Sequence, residues 1–163
     1  NSVGNGWSGF EDERNDVAIR SGVLRLRDYV SWSWVDAAAS NSTSTVGYDD
    51  IYLDFDWAAS RNTERSDKLY VSWNDGSGWN NLWSTRLGGS NFVSVSLGAI
   101  LGASNLANLQ FSFWTNVSAY NESAYIDNVV LRGTPISVSN PSSIALLGLG
   151  LMGLGLARRK KSA

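Results

Sequence analysis

The chain has 163 residues, 43% of them hydrophobic, with 13 basic and 15 acidic side chains, no Cys and no His. This length supports one domain with a substantial core and leaves little chain for a second. The missing Cys and His exclude disulfides, thiolate zinc sites, cysteine nucleophiles, and the commonest general base and transition-metal ligand.

Charge is distributed unevenly along the chain. Up to Ser143 there are nine bases against 15 acids, a net charge of −6, whereas residues 158–161 are all basic. An acidic body favours cations or neutral ligands and disfavours nucleic acid, so no nucleic-acid partner is expected. Because the first residue is Asn1 and not Met, we expect a fragment or a processed form, with any secretion signal lying upstream.

Residues 1–133 predict an all-β domain. Apolar and polar side chains alternate in six runs, which is typical of strands with one buried face; the runs are 23–28, 51–57, 69–73, 92–97, 109–115 and 124–131. Turn-forming residues separate several of these runs, and 98–106 could hold a short helical turn. Many short strands at near-regular spacing predict a two-sheet, jelly-roll-like β-sandwich.

Four segments of this body follow one another in a characteristic order: SGVLRLRD at 21–28, YDDIYLDFDW at 48–57, SDKLYVSWNDGSGW at 66–79 and AYIDNVVLRG at 124–133. In this order they resemble secreted jelly-roll modules, including carbohydrate-binding modules and related surface domains. The resemblance implies a structural calcium ion held by an acid of the last strand and an acid near the N-terminus.

Asp127 is the acid of that last strand. A carboxylate among residues as apolar as Ile126 and Val129 needs a partner or a metal ion. Glu11 or Asp12, close to the expected first strand, would complete a calcium site with it. The alternative is that Asp127 pairs with an arginine or accepts backbone N–H groups. The run at 74–78 superficially resembles a calcium loop, but it lacks the acids of one and predicts a hairpin turn.

The eight Trp residues exceed what a core of this size needs. Sugar rings present flat C–H faces that stack on Trp and Tyr. Trp79 and Trp83 follow the turn after run 69–73, and Trp32 and Trp34 share one face of a strand because they are two apart. We predict these four as ligand-binding residues. Packing in the core is the alternative for each of them.

Catalysis is not predicted. Asp54 and Asp56 project from one strand face and could act as a glycosidase pair. The simpler interpretation is a solvated face with arginine neighbours. Without His there is no conventional triad, and no G-x-S-x-G sequence occurs.

The C-terminal part predicts a polar linker at 134–143 followed by a membrane segment at 144–157. This apolar segment, from Ile144 to just past Leu156, has 14 uncharged residues and would form a helix about 21 Å long. Ser142 and Ser143 can cap its start. The tail at 158–163, with bases Arg158, Arg159, Lys160 and Lys161, is expected to stay in the cytoplasm. A buried core helix is the alternative.

The order Pro141-Ser142-Ser143, a Gly/Leu-rich helix and a basic end resembles the PEP-CTERM sorting domain, also catalogued as an ice-binding-protein C-terminal domain. The resemblance covers about residues 138–161. Where that motif has Pro-Glu-Pro, this chain has Ser139-Asn140-Pro141. The resemblance implies processing by an exosortase, a membrane-embedded enzyme, and export in a Gram-negative bacterium that makes exopolysaccharide.

Together these features predict a noncatalytic exported protein. It would be anchored in the inner membrane with its body outside the cytoplasm, and would then reach the cell surface or extracellular matrix. A specific glycan-binding module is the first alternative, and a polysaccharide-active enzyme is the second.

Overall fold

The computed structural model describes residues 2–11, 15–28 and 37–137. Within these residues the chain forms strands joined by turns and loops. The strands are β1 (Ser2–Gly4), β2 (Trp7–Phe10), β3 (Val17–Arg20), β4 (Val23–Arg27), β5 (Ala38–Thr43), β6 (Tyr48–Ala59), β7 (Lys68–Asn74), β8 (Trp79–Arg86), β9 (Val93–Leu97), β10 (Leu109–Thr115) and β11 (Ser123–Pro135).

The strands build two antiparallel sheets. One has six strands in the order β1-β2-β5-β10-β7-β8, and the other has five in the order β3-β4-β11-β6-β9. The chain crosses repeatedly between them. Consecutive strands such as β5, β6 and β7 therefore alternate between the sheets, as the predicted all-β two-sheet sandwich requires.

The core lies between the sheets, where apolar side chains at alternate positions of the strands meet. Phe55 of the five-stranded sheet packs edge-on against Phe113 of the six-stranded sheet, with ring centroids 5.0 Å apart. Trp7 packs against Phe111 in the same way at 5.6 Å. Because each strand buries alternate side chains, the others form two outer faces open to solvent.

All six predicted runs are strands in the structure, with boundaries shifted by a few residues. The sequence did not single out β3, β5 or β8, which carry many polar or small side chains. Residues 98–106 form turns and not a helical turn. Strand β11 continues through Pro135, two residues into the predicted linker.

The predicted membrane helix at 144–157 and the basic tail lie outside the described residues. Within residues 2–11, 15–28 and 37–137, no helix is long and apolar enough to cross a membrane.

Candidate functional site

The outer face of the six-stranded sheet carries a row of small polar side chains. Strand register places five residues side by side across five strands, in the order Ser8, Ser40, Ser112, Ser72 and Asn81. At about 4.8 Å between strands, this row is about 19 Å long. Ser72 and Ser112 are only 8% and 7% exposed although they face outward. The row is thus the floor of a groove that runs across the strands.

An aromatic row borders this floor on one side. Register places Phe10, Ala38, Trp114 and Tyr70 side by side, two residues along each strand from the serines. The Trp114 and Tyr70 rings stack face to face, with centroids 3.8 Å apart and planes 5° from parallel. The pair forms a rigid apolar wall.

Ala38 leaves a slot in that wall. It lies between Phe10, which is 63% exposed, and Trp114. These two side chains start two strand spacings apart, about 10 Å, with only a methyl group between them. Together with Trp79 and the central serines they line a cavity of about 390 Å³.

Trp79 stands on the opposite side of the floor, and a turn positions it. The turn joins β7 to β8, as predicted for 74–78. The Asn74 side-chain oxygen accepts hydrogen bonds from the backbone N–H groups of Gly76 and Gly78, at 2.7 and 3.1 Å. Trp79 is 52% exposed and pairs with Asn74, in the row that also contains Gln110 and Ser42.

This arrangement suits a sugar chain in chemical terms. Exposed aromatic rings on both sides of the floor offer flat apolar surfaces. Ser hydroxyls and the Asn81 and Gln110 amides offer both donors and acceptors. Ligand sites of this kind combine apolar walls with a few polar groups that fix orientation.

The other predicted tryptophans lie elsewhere. Trp83 pairs with the buried Val71, so its ring points between the sheets, where it contacts Phe55 at 5.5 Å and Trp57 at 6.3 Å. It lies away from the groove. Trp32 and Trp34 are outside the described residues.

Sequence reasoning missed most of the groove. Phe10, Tyr70 and Trp114 were not singled out, and neither were the serines. One signal was available: Ser40, Ser72 and Ser112 each sit between apolar or amide residues at strand-like spacing. What the sequence could not supply was the register that aligns them across strands.

Asp54 and Asp56 lie on the outer face of the other sheet. Asp54 accepts hydrogen bonds from Arg132 and Ser96, and Asp56 accepts one from Asn128 at 2.7 Å. Hydrogen bonds from Arg132 and then Ser96 lower the pKa of Asp54, and those from Asn128 and Ser94 lower the pKa of Asp56. A glycosidase pair needs one carboxyl group with a raised pKa. This pair instead fits the interpretation as a solvated face with an arginine neighbour.

The acids predicted to bind calcium are placed as follows. The Glu11 carboxylate accepts a hydrogen bond from the Val17 N–H at 3.0 Å. Asp127 accepts one from the Asn128 N–H at 2.8 Å and pairs in register with Asp56 on the outer face. Asp12 lies outside the described residues, so a calcium site of Glu11, Asp12 and Asp127 remains a prediction.

A different set of acids does come together. Carboxylate oxygens of Glu64, Asp67 and Glu122 lie within 4.8 Å of one another, and this group could hold a metal ion. Asp67 and Glu122 are 1% and 2% exposed. Burial, followed by the charges of Asp67 and Glu64, raises the pKa of Glu122, while the Ser118 N–H opposes this. This cluster was not predicted from the sequence, because its members come from two distant loops.

Comparisons with known proteins find a motif match for the C-terminal residues and a fold likeness for the body. Residues 137–161 match the PEP-CTERM protein-sorting motif. The chain therefore carries a sorting signal of this class, which indicates an exported, cell-surface-associated protein and implies exosortase processing. No curated protein sequence matches the chain.

The body is similar in fold to solved carbohydrate-binding modules. The N-terminal cellulose-binding domain of Cellulomonas fimi β-1,4-glucanase C is 14% identical, with a TM-score of 0.51 over 82% of this chain and 91% of that domain. A C-terminal family 22 carbohydrate-binding module from Clostridium thermocellum is 13% identical, with a TM-score of 0.53 over 83% of this chain and 89% of the module.

A third similar structure is an adhesin domain. The K3 cleaved adhesin domain of Lys-gingipain from Porphyromonas gingivalis is 9% identical, with a TM-score of 0.55 over 79% of this chain and 93% of that domain. At these identities the likeness shows the two-sheet sandwich fold, and the sequence-based resemblance to such modules is confirmed at that level.

Proposed function

We propose that the protein is a noncatalytic, surface-displayed module that binds an extracellular polysaccharide chain in the groove of its six-stranded sheet. The observation that carries the proposal is the serine floor bordered by Phe10 and Trp114 on one side and Trp79 on the other. The fold similarity to carbohydrate-binding modules supports it, as does the sorting motif, which indicates an exported, cell-surface-associated protein.

A neutral chain is the ligand class that fits. Ser8, Ser40, Ser72, Ser112 and Asn81 are all uncharged, and so are the aromatic walls. Uncharged donors and acceptors match sugar hydroxyls, whereas an acidic or basic polymer would call for charged partners on the floor.

The test is affinity electrophoresis or calorimetry of the sandwich against a panel of soluble neutral polysaccharides. Trp79→Ala and Trp114→Ala should each weaken binding about tenfold or more, because aromatic rings that become covered by the ligand dominate such contacts. Tyr120→Ala is the matched control, since Tyr120 is 67% exposed and does not line the groove. Failure of the unmodified protein to bind any neutral polymer would overturn the proposal.

A structural metal is a second element of the proposal. We infer calcium as the ion for Glu64, Asp67 and Glu122, since hard cations prefer carboxylate oxygens. Support comes from the burial of two of the three carboxylates, whose mutual repulsion a divalent ion would offset.

The anchoring route completes the proposal. A helix at 144–157 would hold the body outside the inner membrane with bases 158–161 in the cytoplasm, until an exosortase cuts near Pro141. A Gram-negative host with exopolysaccharide synthesis fits this route. What supports it is the sorting motif at 137–161.

A further inference from the structure

A second groove lies on the outer face of the five-stranded sheet, on the opposite side of the molecule from the serine floor. Register aligns Arg25, Tyr125 and Ala58 side by side across β4, β11 and β6. Ala58 is only 3% exposed, and the segment before β9 contributes Phe92, which is 49% exposed, to the same cavity. With Arg20 these residues line a cavity of about 430 Å³, the arginine groove.

The arginines of this sheet differ in their partners. Arg27 is 3.6 Å from the buried Asp16, and Arg132 is paired with Asp54. Arg25 donates to the Asn15 carbonyl at 3.3 Å, while its Nε is buried with no hydrogen-bond partner among the described residues. Because this Nε is shielded from solvent, an incoming anion would meet the rest of the Arg25 guanidinium, which lines the cavity.

Positive charge is concentrated here. Arg20, Arg25 and Arg27 fall on one hairpin, although the body up to Ser143 carries a net charge of −6. Burial, then the charges of Arg27 and Arg20, lower the pKa of Arg25, while Tyr125 and then Asp16 raise it. Over residues 16–28 the three arginines outnumber Asp16 and Asp28, so the hairpin with its flanking acids keeps a net charge of +1.

The walls define what kind of anion fits. The Tyr125 ring and Phe92 give flat apolar surface above an alanine floor, which suits a sugar ring better than a bare inorganic ion. The planar guanidinium fork matches a carboxylate in bidentate geometry. Repulsion between the acidic body and a polyanion is screened beyond about 8 Å at physiological salt, so close contacts in the groove decide binding.

We propose that the arginine groove binds a carboxylate-bearing sugar, a uronate unit of an acidic polysaccharide. The protein would then have two sites of different ligand class, a neutral-chain groove on one sheet and an acidic-chain groove on the other. One molecule could join two kinds of polymer.

The test uses tetragalacturonate and its carboxyl-reduced form, measured by calorimetry on the unmodified sandwich. The acidic tetramer should bind at least about tenfold more tightly than the reduced one. The double substitution Arg20→Gln/Arg25→Gln should weaken its binding by about tenfold or more. Arg132→Gln, the same change outside the groove on the same sheet, should leave binding unaltered.

Four results would overturn the proposal: no binding of the acidic tetramer, equal binding of both tetramers, no effect of the double substitution, or loss of binding in Trp114→Ala. Loss of binding in Trp114→Ala would show that the acidic tetramer binds in the serine groove. Because Trp114→Ala tests the serine groove separately, failure of one site is distinguishable from failure of the other. If the double variant does not fold, Arg20→Gln alone serves, because Arg20 is exposed.

Discussion

Glu122 is a buried acid whose pKa is set by its burial and its acidic neighbours. It is 2% exposed and has Asp67 and Glu64 as acidic neighbours, and its Oε2 accepts a hydrogen bond from the Ser118 N–H at 2.9 Å. Burial and like charge both favour the protonated form, so the pKa of Glu122 is raised in the folded protein.

The pH dependence follows from that direction. With a raised pKa the folded state binds more protons than the unfolded state, so the contribution of Glu122 to stability is present at pH values below its unfolded pKa. It is lost as pH rises through the folded pKa. Without metal, Glu122→Gln should therefore raise the melting temperature at neutral pH by a few degrees and flatten this loss.

Calcium should reverse the order of the two melting temperatures, so that the unmodified protein is more stable than Glu122→Gln. If Ca²⁺ binds Glu64, Asp67 and Glu122, adding it at neutral pH raises the melting temperature of the unmodified sandwich but has little effect on Glu122→Gln. Scanning calorimetry in chelator and in millimolar Ca²⁺ measures both effects. Equal shifts of the melting temperature in the two proteins would show that calcium does not bind at this cluster.

At the scale of elements, β11 contains a bulge that shapes the outer face of its sheet. Pairing with β6 shifts between Asp127 and Val130, and Asn128 has a φ of +50°. This left-handed conformation is one that Asn and Gly adopt readily and β-branched residues resist. The bulge also turns the Asn128 amide toward Asp56.

Substitutions at Asn128 should separate conformation from hydrogen bonding. Asn128→Val should lower the free energy of unfolding by about 1–3 kcal/mol, because a β-branched residue is strained at this φ. Asn128→Gly keeps the conformation and loses only an exposed hydrogen bond, so it should stay within about 0.5 kcal/mol of the unmodified protein. Urea unfolding monitored by tryptophan fluorescence compares them. Equal losses of unfolding free energy in the two variants would show that the backbone conformation at residue 128 does not determine the effect.

These elements also show how far sequence could predict the structure. Strict alternation in β6, as in Leu53-Asp54-Phe55-Asp56-Trp57, identified a strand and its buried face directly. Strand β5, Ala38–Thr43, has no large apolar residue and gave no periodic signal. The groove depends on β5, because Ala38 forms the slot and Ser40 joins the floor. Trp79 was predicted because it is an aromatic beside a turn. Trp83 follows the same turn and was predicted on the same ground, but it faces the core. The reason is that Leu82 is an extra residue in β8, so the register shifts between Asn81 and Trp83.

At the scale of the whole molecule, the sandwich and the sorting signal meet within a few residues. Strand β11 ends at Pro135, and the Ile136 N–H still donates to the Gly47 carbonyl at 2.8 Å. The sorting motif begins at residue 137. This backbone hydrogen bond, the last one among the described residues, therefore comes directly before the signal.

Removal of 137–163 should leave the fold intact and change only the location of the protein. We expect the melting temperature of the shortened chain to stay within about 2 °C of the full chain, because no described core residue is lost. In fractionated cells that export it, the shortened chain should leave the membrane fraction, whereas the full chain should be found there or at the surface. Identical distribution of both forms would contradict a sorting role for the segment.

The serine floor has a further consequence because it ends on an edge strand. Within the described ranges, the row from Ser8 to Asn81 ends on edge strand β8, and register continues it at the other end to Ser2 on edge strand β1. A groove that reaches both edges of the sheet can bind the middle of a long filament and needs no free chain end. Many copies could then bind along one filament, so the amount of bound protein would scale with filament length and not with the number of filament ends.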